Sequence, residues 1–148
     1  MKPNPRNTYK RLNAETAISE ASPIDLIVMV YGAILDNLRL AQKAIEEGRD
    51  ESVYVAKAID LIQRGLSAAL DFEHGGDISR NLSALYDWAL REILQARLKK
   101  NALLLTGVIE VFRNLESAWL EIRELRAATS SETKGEQAVE RGTLHAGK

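Results

Sequence analysis

At 148 residues, the chain has the length of one domain and enough material to bury a single core without cross-links. Hydrophobic residues make up 45% of it and charged residues 28%, a globular balance that excludes a wholly disordered or collagen-like chain. Lys and Arg number 20 against 21 Asp and Glu, a formal charge of −1, so the composition offers no electrostatic reason for a nucleic-acid partner.

The absence of cysteine removes disulfides, thiolate metal sites and thiol nucleophiles together. His74 and His145 are too few for a histidine-rich metal site, and no cofactor is expected. Two of the three prolines, Pro3 and Pro5, stand at the very start, which leaves the interior almost free of helix breakers. Aromatics at 5% are few for a sandwich or barrel, and the chain is expected to be all-α. The polar N-terminus carries no secretory signal, which points to the cytoplasm. The longest nearly unbroken apolar run, residues 24–35, is too short to cross a bilayer, so no membrane insertion is expected.

In chain order, residues 1–21 are polar with isolated apolar positions at Tyr9, Leu12 and Ile18. Ser22-Pro23 reads as a helix start: Ser22 caps free N–H groups, Pro23 suits the first turn, and Asp25 faces the positive end of the dipole. Ile24, Ile27, Tyr31, Ile34, Leu38, Ala41 and Ile45 then recur at spacings of three and four, the stripe of a first helix that ends at Gly48. Asp50 suits the cap of a second helix, striped by Val55, Ile59, Ile62, Leu66 and Ala69. After the break at Gly75-Gly76, Asp77 or Ser79 caps a third, with Leu82, Leu85, Tyr86, Ala89, Ile93 and Ala96 on one face. Past Asn101 a fourth follows through Leu104, Val108, Val111, Leu115, Ala118, Ile122 and Leu125. Links of a few residues force neighbours to run antiparallel. The expected architecture is an up-down-up-down four-helix bundle over residues 22–127, followed by a disordered tail over 128–148 that is rich in Ser, Thr, Gly and charge.

Catalytic constellations are missing. A di-metal bundle site wants inward Glu residues and Glu-x-x-His pairs, and neither histidine lies in a stripe. Glu73-His74 beside two glycines reads as a solvated turn, and Lys99-Lys100 as charge placed favourably at a helix C-terminus. No nucleophile elbow or phosphate loop is present, so an enzyme is not expected.

The anomaly is surplus apolar surface. One stripe of about three positions in seven serves a bundle helix. Yet the first helix adds Leu26, Met29, Val30 and Ala33, the third adds Leu90, Leu94 and Leu98, and the fourth adds Leu105, Ile109, Phe112 and Leu120. Wide stripes packed in one core are the plain explanation for any single row; three such rows favour a groove for a partner helix, with Met29 adaptable to imperfect fits. A homodimer burying these rows against its own copy is the alternative.

Several stretches resemble the flagellin-specific export chaperones, the FliS family. Residues 21–33, Ala-Ser-Pro-Ile-Asp-Leu-Ile-Val-Met-Val-Tyr-Gly-Ala, resemble the opening of its first helix, with Val30 where the family carries Leu. Residues 70–78, Leu-Asp-Phe-Glu-His-Gly-Gly-Asp-Ile, are similar to its turn between helices two and three. Asn81-Leu82 with Leu85-Tyr86-Asp87 matches its third-helix start, and residues 118–122, Ala-Trp-Leu-Glu-Ile, its closing motif. The resemblance implies a cytosolic chaperone, monomer or weak dimer, that holds the disordered C-terminal helices of flagellin against early polymerisation. It implies delivery to a component of the flagellar type III export gate. It also implies an N-terminal capping segment over residues 1–21. The expected partner-binding residues are Tyr9, Leu12, Leu26, Met29, Val30, Ala33, Leu90, Leu94, Ile109 and Phe112.

Overall fold

The computed structural model describes residues 22–146, with side chains through residue 129. Its first helix, α1, spans Pro23–Glu46. The expected cap is in place: the Ser22 hydroxyl accepts from the Asp25 N–H at 3.2 Å, and the Asp25 carboxylate accepts from the Ser22 N–H at 3.2 Å. The Ser22 hydroxyl also donates to that carboxylate, which holds its pKa below the usual value. Gly48, at φ +68°, turns the chain out of the helix.

The second helix, α2, begins over Ser52–Asp60. Asp50 supports its start by accepting from the Ser52 N–H at 2.9 Å. The sequence predicts an unbroken α-helix to Ala69, and here the structure differs. A π-helical segment, Leu61–Leu66, and a 3₁₀ turn, Ser67–Ala69, replace it. The wider turn brings Leu61, Ile62, Gly65 and Leu66 into the interior together. Gly65 fits closely there, since a Cβ on it would lie 3.1 Å from a Val30 methyl.

Helix α3 runs over Phe72–Lys99 with a kink at Gly76. Asp71 caps it, rather than Asp77 or Ser79: its Oδ1 accepts from the N–H groups of Glu73 and His74 at 3.1 and 3.0 Å. Ser79 instead donates its hydroxyl to the Asp71 carbonyl at 2.8 Å and closes the turn. Glu73 and His74 are exposed, as a solvated turn requires. Gly76 sits at φ +52°, ψ −129°, a region open essentially to glycine alone. A Cβ there would meet nothing within 4 Å, so the cost of Gly76→Ala is purely one of backbone conformation. That variant is expected to lose about 1–3 kcal/mol, read as a lower urea midpoint.

Helix α4 spans Leu103–Ala146. Asn101 starts it by accepting from the Leu103 N–H at 3.1 Å, where the sequence places the break. The helix continues through the region read as a disordered tail from residue 128. No proline interrupts it there, although the stretch is rich in Ser, Thr and Gly and residues 121–129 are exposed and gain nothing from the core. The buried face of α4 also differs from the expected one. Leu105, Val108 and Phe112 are buried, Leu104 and Leu115 only partly so, and Ile122 and Leu125 are exposed.

Helices α1 and α4 are antiparallel, tied at one end by Arg123 and Asp25 at 3.4 Å. At the other end Gln42 donates to the Ala102 carbonyl and the Thr106 hydroxyl, both at 3.0 Å. With α2 packed on α1, and α3 on α4, the helices described form the expected antiparallel four-helix bundle. Its centre is aromatic. The Phe112 ring lies 5.8 Å from Tyr31 and 6.2 Å from Tyr86, tilted against each.

A charged clasp joins α2 to the turn between α3 and α4. Glu51 is 1% exposed, accepts from the Lys100 ammonium through Oε1, and has the Arg97 guanidinium 3.8 Å away. The hydrogen bond from Lys100 is the main cause that holds its carboxyl below the ordinary value near 4.5. A lowered carboxylate pKa stabilises the fold above the unfolded-state value, and that contribution disappears as pH falls through the folded-state value. The stability gap between wild type and Glu51→Gln is therefore expected to be widest at neutral pH and to close under acid. Urea midpoints of both proteins across that range would check it.

Candidate partner-binding surface

The ten expected binding residues separate into four groups. Tyr9 and Leu12 lie outside the described residues. Val30 and Phe112 are core residues at 0% exposure, not surface ones. Val30 is sealed because α1 meets Gly65 there, and Phe112 because the phase of α4 turns it onto the two tyrosines. Ala33, Leu90 and Ile109 are half-buried against the core. Leu26 and Met29 are half-buried and stand outside the packed cluster, while Leu94 is 52% exposed.

Surplus apolar surface is thus real but distributed differently from the expected rows. On α3, Leu98 is 78% exposed and continues the Leu90–Leu94 row, and Leu103 follows it at the start of α4. Each such side chain left in water forfeits roughly 1.5–3 kcal/mol relative to burial. Phe72 and Ile78 are exposed on either side of the Gly75-Gly76 turn. Large apolar residues flanking a glycine turn were the available clue to a surface here, since nothing local buries them.

That turn borders a pocket of about 230 Å³ walled by Ile27, Leu66, Leu70, Ile78, Leu82 and Trp119. It collects α1, the end of α2, the start of α3 and the later part of α4 at one end of the bundle. Its polar groups are few: the exposed Asp71 and the Ser79 hydroxyl at the turn, and the buried hydroxyls of Tyr31 and Tyr86. The hydroxyls of Tyr31 and Tyr86 are 2.6 Å apart, and Trp119 lines the pocket beside them. Burial pushes the Tyr31 hydroxyl above its ordinary pKa, so it stays neutral and able to donate. An apolar wall over a hydrogen-bonded tyrosine pair suits an apolar side chain. A second hollow, between Ser22–Asp25 and Arg123–Ala127, lies where α1 begins and carries charge of both signs.

Among the described residues no three His, Asp or Glu side chains converge on a possible metal position, and no helix is long and apolar enough to cross a membrane. A model of the flagellar protein FliS family matches residues 5–126. The flagellar secretion chaperone FliS of Salmonella typhimurium is 37% identical over 116 residues, covering 77% of this chain and 86% of that one. Those of Vibrio cholerae and Escherichia coli are 34% and 31% identical, each covering 85% of its own length and 77% and 76% of this chain. The relatives are named as chaperones, not as catalysts. On a family match over residues 5–126, this chain belongs to the FliS family of flagellar secretion chaperones.

Proposed function

We propose that the protein binds the C-terminal region of flagellin in the cytoplasm, prevents it from polymerising early and delivers it to the flagellar type III export apparatus. The observation that carries this reading is the excess of apolar side chains, half-buried at Leu26 and Met29 and exposed at Leu94 and Leu98, on a bundle whose core is already complete. Ordering a disordered segment on binding takes roughly 2–5 kcal/mol from the interaction. Two or three Leu-sized anchors at about 1.5–3 kcal/mol each offset that cost. Binding of this kind needs no nucleotide, and release follows from competition at the export gate. Residues 1–21, which carry Tyr9 and Leu12, join the bundle at Ser22 beside the hollow at the start of α1, a position suited to capping the surface until flagellin arrives.

Calorimetry with flagellin, intact and lacking its C-terminal region, tests the proposal. Micromolar or tighter binding of the intact protein alone is expected, and equal affinity for both forms would reject it. The exposed row on α3 also suits a second copy of this chain. Sedimentation of the free protein separates the readings, because a stable dimer that flagellin does not dissociate favours the homodimeric adaptor.

A further inference from the structure

We propose that the wall of the apolar pocket formed by residues 61–70 is a two-register switch that sets the pocket's width. The proposal rests on reading this pocket as part of the flagellin-binding surface. Two irregular turns meet here, the π segment Leu61–Leu66 and the 3₁₀ turn Ser67–Ala69. A π turn is in effect one residue inserted into an α-helix. Converting it to α geometry carries the residues beyond it round by one position.

The sequence accommodates both outcomes. The spacing of Val55, Ile59, Ile62, Leu66 and Ala69 suits a continuous α-helix with Ala69 turned inward. In the observed register Ala69 is exposed and Leu70 packs against the core in its place. Adjacent apolar residues at 69 and 70 therefore let either register bury one of them. The Ser67 hydroxyl is buried without a hydrogen-bond partner, and the Ser67 N–H is shared between the Ile62 and Gln63 carbonyls, the π and α partners at once.

Both ends of the segment suit the motion. Gly65, close against Val30, anchors the side that stays still. Leu70 is extended at φ −68°, ψ 135°, and the kink at Gly76 lies just beyond it, so the shift is absorbed before α3 proper. Both Ala69 and Leu70 line the pocket. Exchanging Leu70 for Ala69 at its inner wall removes three carbons and widens it from the observed 230 Å³. The structure is then the narrow state, and a partner side chain that fills the pocket selects the wide one.

Hydrogen exchange on the free, full-length protein tests the switch through two variants. Deleting Gln63, an exposed residue of the π turn, restores α spacing while keeping Leu70 inward. Ala69→Lys costs little in the observed register but drives a charge into the bundle in the other. Each is expected to slow exchange of the amides of residues 66–70 by about tenfold or more, and unchanged exchange in Ala69→Lys overturns the proposal even if the deletion does not fold. The deletion is also expected to weaken capture of a flagellin C-terminal segment by about tenfold, and equal capture overturns the link to pocket width. A wild-type protein that captures no such segment rejects the functional reading instead, and the exchange result still decides the switch.

Discussion

Replacing Phe112 by alanine is expected to cost about 3–5 kcal/mol of stability, the usual penalty for truncating a buried aromatic side chain. Domains of this size are stable by only about 5–15 kcal/mol, so the loss is a large fraction of the whole. Phe112 has no exposed surface, and its ring lies against both Tyr31 and Tyr86. Its removal leaves a void beneath the hydroxyl pair that links α1 to α3. The melting temperature should fall by roughly 6–20 °C, at 2–4 °C per kcal/mol for a chain near this length. Thermal and urea unfolding followed by circular dichroism would measure it. A variant that melts like wild type but no longer captures a partner would return Phe112 to the binding surface, where sequence reasoning places it.

The difference between those two placements shows where sequence reasoning stops for a bundle. Helix existence was legible because the interior lacks proline and the apolar spacing holds for five turns or more in α1 and α4. A cap was legible where the cap itself carried the chemistry, as at Ser22, whereas Asp50 supports the second helix from one residue before its cap position, Glu51. Phase was not. In α4 the row through Leu104 and Val111 and the row through Leu105 and Phe112 both repeat at three and four, and only contact with the tyrosines chooses the second. The same ambiguity made Val30 look like surplus, because nothing in the sequence says that Gly65 comes close enough to cover it. The π segment hid for a related reason. Val55, Ile59, Ile62, Leu66 and Ala69 satisfy an ordinary helix, and the extra residue per turn is paid back only in tertiary packing. On α3, by contrast, Leu94 and Leu98 were correctly separated from the core stripe, since Tyr86, Ala89, Ile93 and Ala96 already fill the buried face.

Charge placed at the binding surface should act in the opposite sense to a core truncation. Met29→Asp and Leu94→Asp are each expected to weaken capture of a flagellin C-terminal segment by about 30-fold or more, the effect of losing roughly 2 kcal/mol at a well-packed anchor. Both should keep the helical circular dichroism of wild type. Leu94 is already 52% exposed, so an aspartate there stays hydrated in the free protein. Met29 is half-buried but makes no part of the packed cluster, so its replacement exposes little that the fold depends on. The informative control is Val30→Asp, one residue away. Val30 lies at 0% exposure opposite Gly65, and a carboxylate there has no water and no cation to receive it. Unfolding of Val30→Asp beside a folded, binding-deficient Met29→Asp would place the boundary between core and partner surface between two consecutive residues of α1. If Met29→Asp instead unfolds with it, the apolar excess on that helix belongs to the bundle's own interior, and the partner surface contracts to α3 and the pocket by Trp119.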